Sequence, residues 1–375
     1  MPGRPIRGSL VLTWRLFYVF YFLYRCALSI LAQVVVSSLT ILGDSGSYQT
    51  AGSVFLHADG LGFLADPTEV RYLSTSLTYS IGAVLNIISG GNPHFVNFGF
   101  QCIAYFGLYR LLTALTPAFR GPVALLLLTP SFNLWTSVAS KEAITAFAVA
   151  IIARYIYRIG QERQFGVGFL EVLAFLLIWI FKNQYLPSLA FLIGVSFFAQ
   201  YFHQKSVVAI FAGLMTIVGL FIFQDVLADL AFRVQIHWTS LTGSNVGSTR
   251  PAFFQEAFDV ILKAPLGMWL SFMGPTLGEV SRGMLHKVSF LESTFIFGVL
   301  VYYVLVRLPS IPVYSFAIGG FALFWLLFGT YPFGVMNAGS AIRYRAGYLI
   351  LVILIVLFVM TRSSYLSFSA PRERR

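Results

Sequence analysis

Apolar runs of about 17 to 25 residues, each long enough to cross a hydrocarbon core as a helix, recur along almost the whole 375-residue chain. In lipid every backbone N–H and C=O needs an internal partner, which confines a chain of this kind to helices or a closed barrel, and runs of this length select helices. The expected fold is all-α: a polytopic membrane protein forming one integral membrane domain over 1–375. The runs divide into about ten spans, centred on 16–40, 94–116, 119–136, 143–158, 166–181, 185–202, 206–224, 288–307, 311–329 and 345–361. With 58% hydrophobic and 10% charged residues, no separate water-soluble domain can be covered.

Arginine and lysine cluster at alternate span ends, at Arg4, Arg7 and Arg15, at Arg110 and Arg120, at Arg154, Arg158 and Arg163, at Lys205, at Arg307, and at Arg362, Arg372, Arg374 and Arg375. By the positive-inside rule both termini face the cytoplasm. Most acids fall on the other side; Glu162, Glu171 and Glu373 lie within or border the inner one, and Arg25 falls inside the first span. The net charge of +11 therefore reads as a topology signal and as attraction to anionic membrane lipid, and no nucleic-acid footprint is expected. The first apolar run is too long for a removable signal peptide and lacks a small-residue cleavage site, so it is expected to stay as an anchor. Cys26 and Cys102 both fall in spans, which makes a disulfide framework unexpected. His57, His94, His203, His237 and His286 have no metal-ligand spacing.

Two outer segments interrupt the alternation of span and short turn: 42–93, and 225–287. Such segments are where membrane enzymes keep function, because irregular backbone is tolerated only in water or against protein. The first contains a weakly amphipathic run, Tyr72 to Ile88, expected to lie in the interface. The second contains a polar Gly/Ser stretch at 243–251, then Ala252 to Leu262, which reads as a short amphipathic helix under a lid. Gly267 to Val280 is apolar but cut by Gly274-Pro275, and reads as a re-entrant or surface piece.

The polar residues of the outer face converge at the ends of different spans: Asp44 and Tyr48, the turn from Pro130 to Glu142 with Lys141, Lys182 to Tyr185, Arg250, Glu279, Arg282, Glu292, and Asn337 with Arg343-Tyr344-Arg345. Ionisable groups beside membrane segments are expensive and mark shared cavities. A partly desolvated Asp44 is suited to deprotonate an acceptor hydroxyl. Arg343 and Arg345 are suited to hold a phosphate or diphosphate through bidentate hydrogen bonds. Tyr48, Lys141, Glu142, Arg250, Glu292 and Asn337 complete the candidate substrate-binding set. A base and a phosphate clamp beside lipid match sugar transfer from a polyprenyl-phosphate carrier.

Asp44-Ser45-Gly46-Ser47-Tyr48-Gln49-Thr50-Ala51 resembles the first-loop motif of GT-C type membrane glycosyltransferases, with Ala51 one residue closer than in the pattern. Pro130-Ser131 with Trp135, Ser137 and Lys141-Glu142 resembles a turn of these enzymes and of related polysaccharide polymerases. Gly274-Pro275 followed by Glu292, and Asn337-Ala338-Gly339-Ser340 with Arg343-Tyr344-Arg345, resemble their later motifs. The pieces occur in order over nearly the whole chain. The resemblance implies a base at Asp44, carrier phosphate contact at Arg343 and Arg345, and structural or acceptor roles for Lys141, Glu142 and Glu292. The acidic pair of the protein mannosyltransferase branch is absent, since Ser45 follows Asp44. That points away from a protein acceptor and toward export-polysaccharide assembly in a bacterial inner membrane. No cofactor is called for, with an assisting divalent metal left open.

Blander roles stand beside these. Asp44 suits a helix cap, Arg343 and Arg345 suit anchoring at headgroup level, and Lys141-Glu142 suits a local ion pair. The expected function is transfer of a sugar from a polyprenyl-phosphate-linked donor to a growing glycan acceptor. A Wzy-type polymerase, a lipid-linked sugar flippase and a membrane scaffold are the rivals, the flippase being disfavoured by charges that lie at one face and by the lack of a half-repeat.

Overall fold

A computed structural model describes residues 7–36, 45–50, 70–162, 166–199, 204–240 and 250–360. Every regular element among them is helical. Seven stretches are long and apolar enough to cross a membrane: Thr13–Val34, Lys141–Gly160, Phe169–Phe198, Lys205–Ile222, Met284–Ser310, Val313–Gly334 and Ala338–Met360. Leu73–Ile88, Pro117–Leu127 and Ala264–Met273 are shorter apolar helices. The chain is thus built as a polytopic membrane protein.

In chain order the helices are α1 (Arg7–Leu31, running on as a π-helix through Ala32–Val36), α2 (Ser45–Gln49), α3 (Val70–Ile88), α4 (Pro93–Ala114), α5 (Pro117–Leu127) and α6 (Pro130–Trp135). They continue as α7 (Lys141–Glu162), α8 (Phe169–Lys182), α9 (Leu186–Ala199), α10 (Lys205–Ile222), α11 (Gln224–Ser240) and α12 (Asp259–Leu262). The last four are α13 (Ala264–Met273), α14 (Met284–Arg307), α15 (Val313–Gly334) and α16 (Ala338–Leu354, with a final π-turn Ile355–Met360).

The centre is α7 and α16, both almost wholly buried, whereas α1, α10 and α14 keep most of their apolar side chains exposed, as lipid-facing helices do. The central pair runs parallel: Glu142 lies level with Arg343 at one end, here called upper, and Tyr157 packs 4.6 Å from Phe358 at the lower end. α4 lies along α7 because Gly107 has no Cβ to meet the Phe147 backbone, which would otherwise stand 2.7 Å away. Small residues at such crossings let helices approach where no water drives them together.

Level markers give each helix a direction. α1 rises: Trp14 sits under Arg120, Tyr18 against Tyr109, and Gln33 beside Asn97. α4 descends, α5 and α6 climb, and α7 descends from Lys141. α8 rises from Glu171, which pairs with Arg154 and Arg158, to Lys182, which meets Glu142. α9 then descends along α15, with Ser188 donating to the Ala322 carbonyl and Phe191 packing on Phe321. The stretch Phe169–Phe198 is therefore two helices that reverse at Asn183–Tyr185, where Lys182 leaves helical geometry with φ −148° and ψ 54°. α10 rises beside α15, α14 descends from Glu292 to Arg307, α15 rises, and α16 descends.

Three expectations need correction. The 119–136 span is broken: Pro130 has no N–H to continue α5 and instead opens α6. Of the helix expected over Ala252 to Leu262 only α12 forms, because the Asp259 carboxylate accepts from the Gln255 and Glu256 N–H groups while Gln235 takes those of Phe253 and Phe254. The segment after the seventh expected span opens with a 17-residue helix, α11. Gly267 to Val280 includes the end of α13, too short to span, as a re-entrant or surface piece would be. Cys26 and Cys102 are both free thiols. The polar stretch at 243–249 lies outside the described residues.

Candidate functional site

Four groups of polar side chains gather at the upper end. The first anchors the outer loop. Gln49, the last residue of α2, donates to Gln33 (2.8 Å) and to Asn97 (2.9 Å), and Asn97 also accepts from the Ala139 N–H (2.8 Å). One amide on α4 thus ties the first-loop helix to the turn that opens α7. Tyr48 is fully buried in this helix, with its ring edge-on to Tyr79 at 4.9 Å. Asp44, the expected base, lies outside the described residues.

The second group is built on the start of α7. Glu142 is 1% exposed, and its Oε1 lies 3.2 Å from Arg343 Nε and 3.6 Å from Lys182 Nζ. Lys182 also sits 4.5 Å over the Tyr344 ring, and Arg343 lies 5.6 Å over Trp135. Glu142 does not form the local pair with Lys141; the Lys141 ammonium donates to Thr75 on α3 at 2.6 Å. Beneath them the Tyr185 hydroxyl and Thr145 converge on Gly347, where a Cβ would lie 2.8 Å from that hydroxyl. Among the described residues, Glu142 Oε2, Thr145 Oγ1 and the Tyr185 hydroxyl are buried without a hydrogen-bond partner.

The third group is closed. Arg345 donates to the Phe272 carbonyl (3.1 Å), the Ser293 hydroxyl, the Ser131 hydroxyl (3.3 Å) and Glu292 Oε1 (3.2 Å). Glu292 in turn accepts from the Ser131 N–H at 2.8 Å and from its hydroxyl, which places a carboxylate at the start of α6. The fourth group fastens the second outer segment: Arg250 grips Glu279 with two hydrogen bonds (3.0 and 2.7 Å) and donates to the Val335 and Gly274 carbonyls. Burial opposes ionisation of Glu279, but hydrogen bonds from Arg250 and from Thr276 outweigh it and hold its carboxyl below the ordinary range.

The structure thus joins Glu142 to Arg343 and Glu292 to Arg345, and keeps the two arginines apart. Two residues on a helix are separated by about 200°, so they leave opposite sides of α16 and do not form one clamp. Asn337 caps α16, accepting from the N–H groups of Gly339 (2.8 Å) and Ser340 (3.1 Å). The Arg282 side chain lies outside the described part of the chain.

Ser293 and Thr75 are contributors that the sequence did not single out, whereas Lys182 and Ser131 stood among the converging polar residues without a binding role; Lys182 carried a signal, as a lysine inside an apolar run. Arg25 carried the same signal. It is fully buried and holds Asn133 (2.9 Å), the Thr136 hydroxyl (3.0 Å) and the Thr136 carbonyl (2.7 Å), fixing the turn between α6 and α7. No cluster of three or more potential metal ligands occurs among the described residues.

Compared with family models, with curated proteins and with solved structures, the chain finds no match. The class that the fold defines is that of an integral membrane protein whose helical bundle gathers four groups of polar side chains at its upper end.

Proposed function

We propose that the protein is a membrane glycosyltransferase of the GT-C kind, moving a sugar from a polyprenyl-phosphate donor to a growing glycan at the upper face. The observation that carries this reading is that the first-loop helix is tied through Asn97 to the turn before α7, and that the start of α7 then holds Glu142 against Arg343, although these pieces are spread over some 300 residues of sequence. Those are the pieces that resemble the motifs of that family. In this reading Asp44 takes the proton of the acceptor hydroxyl as it attacks the anomeric carbon. The bond to the carrier phosphate breaks and Arg343 stabilises the departing phosphate. Glu142 and Lys182 hold Arg343 in place. Arg345, with both terminal nitrogens engaged, is assigned to structure.

The topology adopted is ten passes with both ends of the chain on the cytoplasmic side. It is supported by the alternating directions of α1, α4, α5–α6, α7, α8, α9, α10, α14, α15 and α16. The lower end also carries Arg15, Arg110, Arg120, Arg154, Arg158 and Arg307, as an inner face would. A bacterial inner membrane is the setting that fits export-polysaccharide assembly.

The test uses membranes holding matched amounts of wild type, Asp44→Asn and Arg343→Gln, supplied with radiolabelled polyprenyl-phosphate sugar and an acceptor extract. Each variant is expected to lower transfer by about 10²-fold. Unchanged transfer by Asp44→Asn would remove the base and favour an arginine-centred polymerase, and absence of transfer by the wild type would overturn the reading.

A further inference from the structure

Two open grooves run up the lipid-facing side of α4, and they differ in one respect. The groove lined by Cys102, Ile103, Phe106 and Phe147, about 390 Å³ in volume, contains no charged residue. The other, about 400 Å³, lies between α1 and α4 and is lined by Arg15, Tyr18, Val19, Phe22, Tyr105 and Tyr109. Both volumes fall in the range of small-molecule sites, about 300–1,000 Å³.

The second groove is graded along its length. Arg15 stands exposed at its lower mouth, close to where the apolar stretch of α1 begins at Thr13. From there to Phe22 the groove climbs seven residues, about 10 Å at 1.5 Å per residue. Its wall is held rigid by aromatic contacts, Tyr18 to Tyr109 at 5.2 Å and Phe22 to Tyr105 at 5.0 Å, and by the Tyr105 hydroxyl donating to the Tyr18 carbonyl at 2.8 Å. The Tyr18 hydroxyl itself is buried and, among the described residues, has no hydrogen-bond partner. A hydroxyl buried in this way is out of reach of a ligand lying in the groove, so recognition there falls to Arg15. No acid lines the groove, and Glu171, at the same end of the bundle, is already engaged by Arg154 and Arg158. The mouth is therefore cationic, and the remainder is aromatic and apolar.

We infer that this groove binds one anionic phospholipid of the lower leaflet. Its phosphate sits at Arg15, and its acyl chain lies along Val19, Phe22 and Tyr105. The inference does not depend on the proposed activity. The apolar groove beside it takes acyl chains without choosing among headgroups.

The experiment is native mass spectrometry of the full chain in detergent, titrated with phosphatidylglycerol or phosphatidylcholine. The wild type is expected to hold one phosphatidylglycerol about fivefold more tightly than phosphatidylcholine. Arg15→Gln should erase that preference, and Tyr18→Phe, which removes only a buried hydroxyl, should leave it unchanged. Arg307→Gln, at the same end but on α14, should change neither. Glycerol phosphate alone should not bind, because it lacks the chain that fills the groove. Equal affinity for the two lipids, or an equal loss from Arg15→Gln and Arg307→Gln, would overturn the assignment, as would glycerol phosphate binding as well as the lipid.

Discussion

Arg343 and Arg345 are two residues apart on one helix, each beside a buried glutamate, yet their surroundings have little in common. Arg345 is 1% exposed and spends its terminal nitrogens on a carboxylate, two hydroxyls and a carbonyl drawn from α6, α13 and α14. Arg343 keeps 20% of its side chain exposed, lies over an indole, and shares its glutamate with Lys182. A guanidinium whose two terminal nitrogens both meet protein holds helices together. One that reaches the surface from a carboxylate held by a second cation can meet a ligand. The difference teaches that an Arg-x-Arg pattern on a membrane helix is two sites, one on each side of the helix.

The largest effect that would break this comparison is on stability. Arg345→Met leaves Glu292 buried with its cation gone, and is expected to cost about 3–5 kcal/mol in reversible unfolding of the purified protein. Adding Glu292→Leu should recover most of that loss, since an apolar pair of similar size removes the stranded charge. Arg343→Gln leaves Glu142 with Lys182 as its remaining cation and should cost clearly less than Arg345→Met. Equal losses from Arg345→Met and Arg343→Gln would mean that both arginines are structural.

The difference between the two arginines was not legible in the sequence, whereas much of the frame was. Lipid forces backbone bonds to close within each helix, so apolar length alone exposed the helical class and the reversal near Lys182. The break at Pro130 was readable from proline chemistry and from the polar Thr129 and Ser131 beside it, and the sequence places a turn from Pro130 onward even though the expected span runs on to 136. The reach of α12 depended on the Asp259 side chain competing for backbone N–H groups, a choice settled by Gln235 from another helix. In the site, residue types showed that charges would gather at one end. Which glutamate meets which arginine depends on the rotation of α16 between α7 and α14, and no local pattern encodes it.

A third arginine–glutamate pair sharpens the contrast because it stands outside the spans, where protons reach it. Glu279 is held below the ordinary carboxylate value of 4.5 by Arg250 and Thr276 acting against burial. A carboxylate with a lowered folded-state pKa contributes stability that is complete above the unfolded value and is lost as pH falls through the folded one. The purified protein should therefore lose about 1–2 kcal/mol between pH 5 and pH 3 through this pair. Glu279→Gln should be less stable at pH 7 and should lack that part of the acid dependence. An acid limb of the same size in Glu279→Gln would show that other carboxylates cause it. Arg343→Gln is expected to leave this limb unchanged, since its partner Glu142 belongs to a separate buried group.

The smallest predicted effect concerns the residue from which both arginines are launched. Asn337 accepts from Gly339 and Ser340 and so satisfies two of the N–H groups that a helix start leaves open. Asn337→Ala should cost about 1 kcal/mol, Asn337→Asp should retain nearly all of the stability, and Asn337→Gly should fall between, the order in which these residues cap helices. The cap lies six residues before Arg343 and eight before Arg345, beyond the turn that its loss would loosen, so under the proposed activity the transfer rate per folded molecule should stay within about twofold in all three variants. A loss of transfer in Asn337→Asp without loss of stability would place the amide against substrate and would extend the open side of the site from Arg343 to the first turn of α16.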